Sequence, residues 1–194
     1  QLNLPVSPIT DLAIKEKELI VATQGRGYWI LDDLNVLHQI GPEAIAADAH
    51  LYAPRDSYRL TAGGRSENPV NAGTNPPIGV VLHYALAAEP SPDTEITLSV
   101  YEDRSAEPIW TWTRELESDE EEETESTPND PPDLALLSTE QGLNRFVWDL
   151  RYPGMERFDD LIMWADMREG PKAVPGTYRA ELTVGSTVRD VEFE

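Results

Sequence analysis

The chain has 194 residues, which is long enough for one well-packed core and an appendage but not for two full domains. It carries 36 acidic and 15 basic residues, and the formal net charge of -21 excludes nucleic acid and anionic membranes as partners, since phosphate groups are bound by Lys and Arg. The chain has no cysteine, which excludes disulfides and thiolate metal sites, and no window approaches the roughly 20 apolar residues of a membrane-inserted span.

The first predicted element is a β-hairpin. Residues 18–23 and 28–31 are two β-rich runs, and the turn between them, Gln24-Gly25-Arg26-Gly27, contains residues that accept positive φ. A further short strand is predicted over 11–14. The hairpin is typical of a propeller blade, but no copy of it follows at the spacing of about 40 to 50 residues that blades show. We therefore expect residues 1–47 to be the remnant of a last propeller blade, at the tail of a longer repeat protein.

Residues 48–75 are predicted to be a linker. They follow a helical turn that the sequence permits over 41–49, with Pro42 at its first position. A strand-like piece over 51–56 is interrupted by proline, and residues 61–77 have the glycine and proline content of a loop.

Residues 76–194 are predicted to form an immunoglobulin-like or fibronectin-like β-sandwich, so the fold class is all-β. Short strands with apolar residues at period two or in short runs, separated by turn residues, are typical of such sandwiches; they are expected over 80–86, 95–102, 109–113, 144–150, 177–184 and 187–193. The alternation assigns a common set of residues to the core: Val81, Ile96, Leu98, Val100, Trp110, Trp112, Phe146, Trp148, Leu150, Tyr178, Ala180, Leu182 and Val184.

An acidic loop over 115–133 is predicted to interrupt the sandwich. Eight carboxylates lie between residues 115 and 125, and a run of this kind is expected to be solvated. Removal of these eight would still leave a charge of -13, and the chain has only three lysines. Because salt screens repulsion between exposed carboxylates, this composition suits salt-rich surroundings.

Two parts of the sequence together resemble a known family. The segment 21–33, Val-Ala-Thr-Gln-Gly-Arg-Gly-Tyr-Trp-Ile-Leu-Asp-Asp, resembles the closing-blade motif of bacterial sortilin-like, BNR-repeat propeller proteins, which are often labelled glycosyl hydrolases. The segments 142–154 and 174–178 resemble the immunoglobulin-like domain that follows the propeller there, and a related pattern occurs in flagellar hook-capping proteins. Gln24 departs from the histidine that is common in the first motif. The resemblance implies a periplasmic or secreted parent protein, with the upstream propeller of the same chain as partner.

No enzymatic site is expected in this chain, although the parent's activity is open. A glycosidase needs carboxylates that converge on the scissile bond, and one partial blade cannot assemble them. Arg26 lies in a hairpin turn, where a structural role is expected. We therefore expect no catalytic residue and no cofactor, and a non-catalytic C-terminal accessory role in which the chain stabilises the propeller or contacts another protein.

Two alternatives remain open. The first is a carbohydrate-binding module, because aromatic rings stack on the C–H faces of sugars; Trp164 and Tyr152 are the candidate ligand contacts. The second is the C-terminal part of a glycoside hydrolase whose active site lies upstream.

No metal site is predicted. Asp32 and Asp33, and Asp159 and Asp160 with Asp166, offer oxygen ligands for calcium but lack the D-x-D-x-D-G spacing. The three histidines lack the spacing of a zinc site, and His83 is expected to be a packing or edge residue of its strand.

Overall fold

The computed structural model describes residue 4 and residues 6–59, 76–103, 105–114, 136–154 and 170–194. These residues form ten strands and two short helices, and the expected all-β class is confirmed. The strands are β1 (Ile9–Lys15), β2 (Glu18–Thr23), β3 (Tyr28–Leu31), β4 (Ala49–Tyr52), β5 (Val80–Leu86), β6 (Ile96–Glu102), β7 (Pro108–Thr113), β8 (Gly142–Trp148), β9 (Tyr178–Val184) and β10 (Thr187–Phe193), and the helices are α1 (Asn35–Gln39) and α2 (Pro42–Ala46).

The described strands form three antiparallel sheets. The first is a small meander in the order β1-β2-β3, in which the expected hairpin of β2 and β3 gains β1 on its other side. The turn between β1 and β2 consists of Glu16 and Lys17, which both have positive φ, of 50° and 67°. Two consecutive positive φ values define the tight hairpin turn whose twist matches that of the flanking strands.

The other two sheets pack face to face through one hydrophobic core. One has the order β10-β9-β6-β7 and the other β4-β5-β8. Apolar side chains from every strand of both sheets meet between them, and Trp112 of one sheet contacts Phe146 of the other, with 4.6 Å between ring centroids. The arrangement is that of a β-sandwich, as the period-two pattern predicted.

Strand β4 lies inside the segment that the sequence assigns to a linker. It pairs with β5, and its Ala49 and Leu51 are buried in the sandwich core. The sequence indicated only a strand-like piece over 51–56 inside a linker, because the pairing of β4 with β5 is not a local feature of the sequence. Residues 60–75 of the predicted linker, and residues 115–133 of the predicted acidic loop, lie outside the described residues.

One predicted core residue faces the other way. The buried residues of β5 are Val80, Leu82, Tyr84 and Leu86, so the placement of Val81 in the core is wrong. Two adjacent valines begin this strand, and a period-two pattern fits either of them. Trp110, Leu150 and Val184 are half-buried and pack against the core, whereas the other predicted core residues are buried.

Strand β8 begins and ends two residues earlier than expected. Leu150 has φ of 62°, a left-handed conformation that cannot continue a strand. The chain turns there, and Arg151 then forms an isolated antiparallel bridge with Lys172.

Candidate functional site

Exposed apolar side chains are concentrated at the N-terminal end of the described chain. Eleven of the seventeen large hydrophobic residues that are exposed lie between residues 4 and 45. Soluble proteins expose single apolar residues routinely, but a contiguous group marks an interaction surface. Six of these eleven belong to the small sheet β1-β2-β3, which is therefore the strongest candidate site among the described residues: Ile9, Leu12, Ile14, Tyr28, Ile30 and Leu31.

Strand register separates the two faces of this sheet. Cross-strand partners share a face, so the pairs Leu12 with Val21 and Val21 with Trp29 define one side. This side, which we call the apolar face, has no charged side chain and is apolar except for Thr23: Ile9, Leu12, Ile14, Leu19, Val21, Thr23, Trp29 and Leu31. The opposite side, the mixed face, combines apolar and charged residues: Asp11, Ala13, Lys15, Glu18, Ile20, Ala22, Tyr28 and Ile30.

The apolar face is open along β1. Leu12 is 59% exposed and Ile14 is 67% exposed, although both belong to the uncharged side of the sheet. A sheet normally buries its apolar face against another layer of secondary structure. The described residues provide no such layer over β1.

The N-terminal part of the chain that contains the small sheet carries little of the net charge. Residues 1–47 contain six acidic and three basic residues and so account for only -3 of the net charge of -21, leaving -18 for the rest of the chain. A low net charge favours close contact with another protein surface, since the central part of a protein–protein interface is depleted of charged residues.

Polar contacts hold the small sheet to the sandwich. Arg55, which follows β4, forms an ion pair with Glu18 of β2 at 3.6 Å, and its Nη2 donates to the carbonyl oxygen of Glu16 at 3.3 Å. The backbone carbonyl oxygen of Lys17 accepts a hydrogen bond from the backbone N–H of Leu34 at 2.7 Å. The turn between β1 and β2 is thus held by Arg55, which follows β4, and by Leu34, which precedes α1.

Helix α1 attaches to the end of β4 through two amide side chains. Gln39 accepts from the N–H of Ala53 and donates to its carbonyl oxygen, both at 2.9 Å, and Asn35 donates to the same oxygen at 2.7 Å. Val36 and Ala44 of the two helices pack on Tyr52, together with Ala85. The helices therefore cover part of the outer surface of the sheet β4-β5-β8.

His83 lies at this junction, on the outer surface of β5. Its Nδ1 is 3.9 Å from a carboxylate oxygen of Asp33. Burial lowers the pKa of His83, and nearby Arg145 acts in the same direction, whereas Asp33 opposes the shift. The imidazole is therefore mainly neutral at pH 7, and its position agrees with the packing role that the sequence suggested.

Only Tyr152 of the two predicted ligand contacts lies in the described part of the chain. Tyr152 is half-buried and packs against the sandwich core, and its backbone N–H donates to Pro171 at 2.9 Å. Trp164 lies in the segment 155–169, outside the described residues. The chain enters that segment after the bridge formed by Arg151 and returns to the same bridge at Lys172.

Within the described residues, no group of three or more metal-ligating side chains comes together. Asp32 is exposed and Asp33 contacts His83, while Asp159, Asp160 and Asp166 lie outside the described residues. The described helices are also too short to span a membrane.

Comparison with protein-family models, with curated proteins and with solved structures finds no match to this chain.

The sequence predicted strands in the small sheet but did not identify their side chains as a candidate site. Ile9, Leu12 and Ile14 carried a usable signal, since apolar residues recur across Ile9–Lys15 before the turn at Glu16 and Lys17. Gln39 carried none, because its role depends on where Ala53 lies in the folded chain.

Proposed function

We propose that this chain is a non-catalytic accessory module, in which the small sheet packs against a β-propeller of the same chain and the sandwich is the immunoglobulin-like domain that follows. The observation that carries the proposal is the exposed, uncharged face of the sheet β1-β2-β3. A propeller blade needs apolar residues on its faces because it is packed between neighbouring blades. The mixed face supports this as well, since Tyr28 and Ile30 are exposed there.

Strand order supports the immunoglobulin-like assignment of the sandwich. Of the seven sandwich strands β4 to β10, the first, second and fifth (β4, β5 and β8) form one sheet. The other sheet has the order seventh, sixth, third and fourth (β10, β9, β6 and β7). This corresponds to an A-B-E sheet facing a G-F-C-C′ sheet, the Greek-key connectivity of immunoglobulin-like and fibronectin-like domains.

A tyrosine at the start of the sixth sandwich strand adds a second argument. The hydroxyl of Tyr178, the first residue of β9, donates to the carbonyl oxygen of Val174 at 2.5 Å. Immunoglobulin-like domains have a tyrosine corner near the start of strand F, in which the hydroxyl bonds to the backbone a few residues upstream.

The three tryptophans of the sandwich that the structure describes favour this role over carbohydrate binding. Trp112 and Trp148 are buried, and the indole of Trp110 bonds to the backbone of Arg151 at 2.8 Å. Side chains fixed in this way are not available as a platform for a sugar ring. The proposal places the parent protein in the periplasm or outside the cell, as the family resemblance implies.

A pair of charge substitutions tests the docking of the small sheet. Leu12→Asp should leave the stability of the chain alone within about 0.5 kcal/mol, because Leu12 is exposed in it. In the propeller-containing parent the same change would bury a charge, and it should lower the thermal midpoint by several degrees. Val188→Asp is the matched control, since Val188 is exposed on β10 of the sandwich and should affect neither protein. An equal effect of Leu12→Asp on both proteins would contradict the proposal.

A glycosidase assay tests the non-catalytic part of the proposal. Purified residues 1–194 should not hydrolyse aryl glycosides, because this chemistry requires a pair of carboxylates that converge on the scissile bond, and a single partial blade is not expected to assemble one. Turnover that a single substitution within these residues abolishes would show that the chain is catalytic.

A further inference from the structure

Residues 33–35, which we call the joint segment, connect the small sheet to the sandwich. The N–H of Leu34 donates to the carbonyl oxygen of Lys17 at 2.7 Å, and Nζ of Lys17 donates to Oδ1 of Asn35 at 3.0 Å. On the other side, Nδ2 of Asn35 donates to the carbonyl oxygen of Ala53, which follows β4, at 2.7 Å. A shift of the joint segment would therefore disturb its bonds to both the small sheet and the sandwich.

Asp33 begins the joint segment and also faces the sandwich. Its φ of 57° lies in the left-handed region, where Asp is tolerated because its short side chain can bond locally. One carboxylate oxygen, Oδ1, accepts the N–H of Asn35 at 3.2 Å, and the other, Oδ2, lies 3.9 Å from Nδ1 of His83 on β5. This second distance is too long for a hydrogen bond. What the contact contributes therefore depends on the charge of His83.

The surroundings of His83 disfavour a positive charge. Its side chain is only 14% exposed. Its cross-strand partners in the sheet β4-β5-β8 are Tyr52, which is buried, and Arg145. Among the described residues, Asp33 and Arg145 are the charged groups that act on the imidazole. A protonated His83 would lose most of its hydration and lie beside a guanidinium, with one carboxylate to offset both effects.

We propose that His83 makes the joint between the small sheet and the sandwich acid-sensitive, so that protonation of its imidazole weakens this attachment. The neutral ring fits the enclosed position, whereas the charged ring regains hydration when the joint segment moves away. Burial lowers the pKa of His83, with Arg145 acting in the same direction and Asp33 against it. For a histidine whose pKa is lowered on folding, stability is lost as pH falls from about 6.5 towards the lower pKa of the folded state.

Native-state hydrogen exchange on the chain measures the joint directly, because the N–H of Leu34 is bonded across it to Lys17. After correction for the intrinsic exchange rate, the protection of this N–H should fall several-fold between about pH 7 and about pH 5. The N–H of Leu182 is the internal control for the sandwich, since β9 lies between β10 and β6, and its protection should fall less. All of these contacts lie within this chain, so the outcome is separate from that of docking on a propeller.

Matched substitutions test whether His83 is responsible. His83→Gln removes the titrating group and should abolish the fall in protection, whereas His38→Gln, at an exposed histidine of α1, should retain it. Arg145→Gln should reduce the fall; Arg145 is exposed and forms no ion pair in the described part of the chain. Asp33→Asn keeps an acceptor for the N–H of Asn35 but removes the charge that favours the imidazolium, so it should enlarge the fall.

Circular dichroism checks that each variant is folded. If His83 only packs at the joint, neither Arg145→Gln nor Asp33→Asn will change the pH profile of Leu34. Protection of Leu34 that rises towards acid pH, or a fall that survives His83→Gln, would overturn the proposal. A fall no larger than that of Leu182 would overturn it as well, because it would report unfolding of the whole sandwich rather than opening of the joint.

Discussion

Trp110 and Trp148, which lie on strands of opposite sheets, donate their indole N–H groups to one shared acceptor, the carbonyl oxygen of Arg151, at 2.8 and 3.1 Å. The left-handed conformation of Leu150 turns the chain so that this carbonyl can meet both indoles. Such a conformation costs about 1–2 kcal/mol for a residue with a side chain. The shared acceptor joins the two sheets at one end of the core.

Trp148→Ala should lower the free energy of unfolding by about 3–5 kcal/mol. Trp148 is 1% exposed and packs edge-to-face on Tyr178, with 5.4 Å between ring centroids. The substitution removes this packing and leaves Arg151 with one indole donor. Urea unfolding measures the loss, and Leu143→Ala on the exposed side of β8 is the control, expected to stay within about 0.5 kcal/mol. Near-normal stability of Trp148→Ala would contradict its role as a core anchor.

Gly79→Ala should destabilise the sandwich by about 2 kcal/mol or more, by strain and overpacking. Gly79 has φ of 144°, and a Cβ atom there would overlap the backbone carbonyl of Trp148. Gly176→Ala is the matched control, because the same added methyl group meets open space and Gly176 does not need positive φ. If both variants unfold at the same urea concentration, the close approach of β5 and β8 at Gly79 is not as described.

Stability should fall at alkaline pH because of Tyr84. Burial raises its pKa to about 12, and its hydroxyl donates to the carbonyl oxygen of Ser138 at 2.5 Å. Above pH 10 the unfolded chain loses this proton while the folded chain keeps it, so the folded state loses stability as pH rises from about 10 to 12. Burial shifts the pKa of Tyr178 in the same direction.

Urea unfolding between about pH 8 and pH 12 measures this dependence. Tyr84→Phe should reduce the slope above pH 10, whereas Tyr58→Phe, which changes an exposed tyrosine, should leave it unchanged. A slope that does not respond to Tyr84→Phe would assign the alkaline transition to another group.

Salt should stabilise the chain. The net charge of -21 creates repulsion in the folded state, and added salt screens it. Raising NaCl from about 0.05 to 1 M, which shortens the Debye length to about 3 Å, should raise the thermal midpoint by several degrees. Scanning calorimetry measures the shift at pH 7. A midpoint that falls with NaCl would show that favourable ion pairs, such as Arg55 with Glu18, outweigh the repulsion.

The sequence by itself determined the elements whose pattern is local. Alternating apolar residues identified the sandwich strands from β5 to β10, and the glycines at 25 and 27 identified the hairpin of β2 and β3, since positive φ is a requirement of the turn itself. These signals depend only on neighbours in the chain. They also placed Trp148 in the core correctly.

Only the tertiary structure decided the features that join distant residues. Val80 and Val81 are both valine, so the buried one is selected by the facing sheet; β4 becomes a strand because β5 lies beside it. The same holds for the candidate site: single residues such as Leu12 could be read as apolar, but that they form one uncovered face depends on strand register. Register and packing arise from contacts between segments far apart in the chain, and no local pattern encodes them.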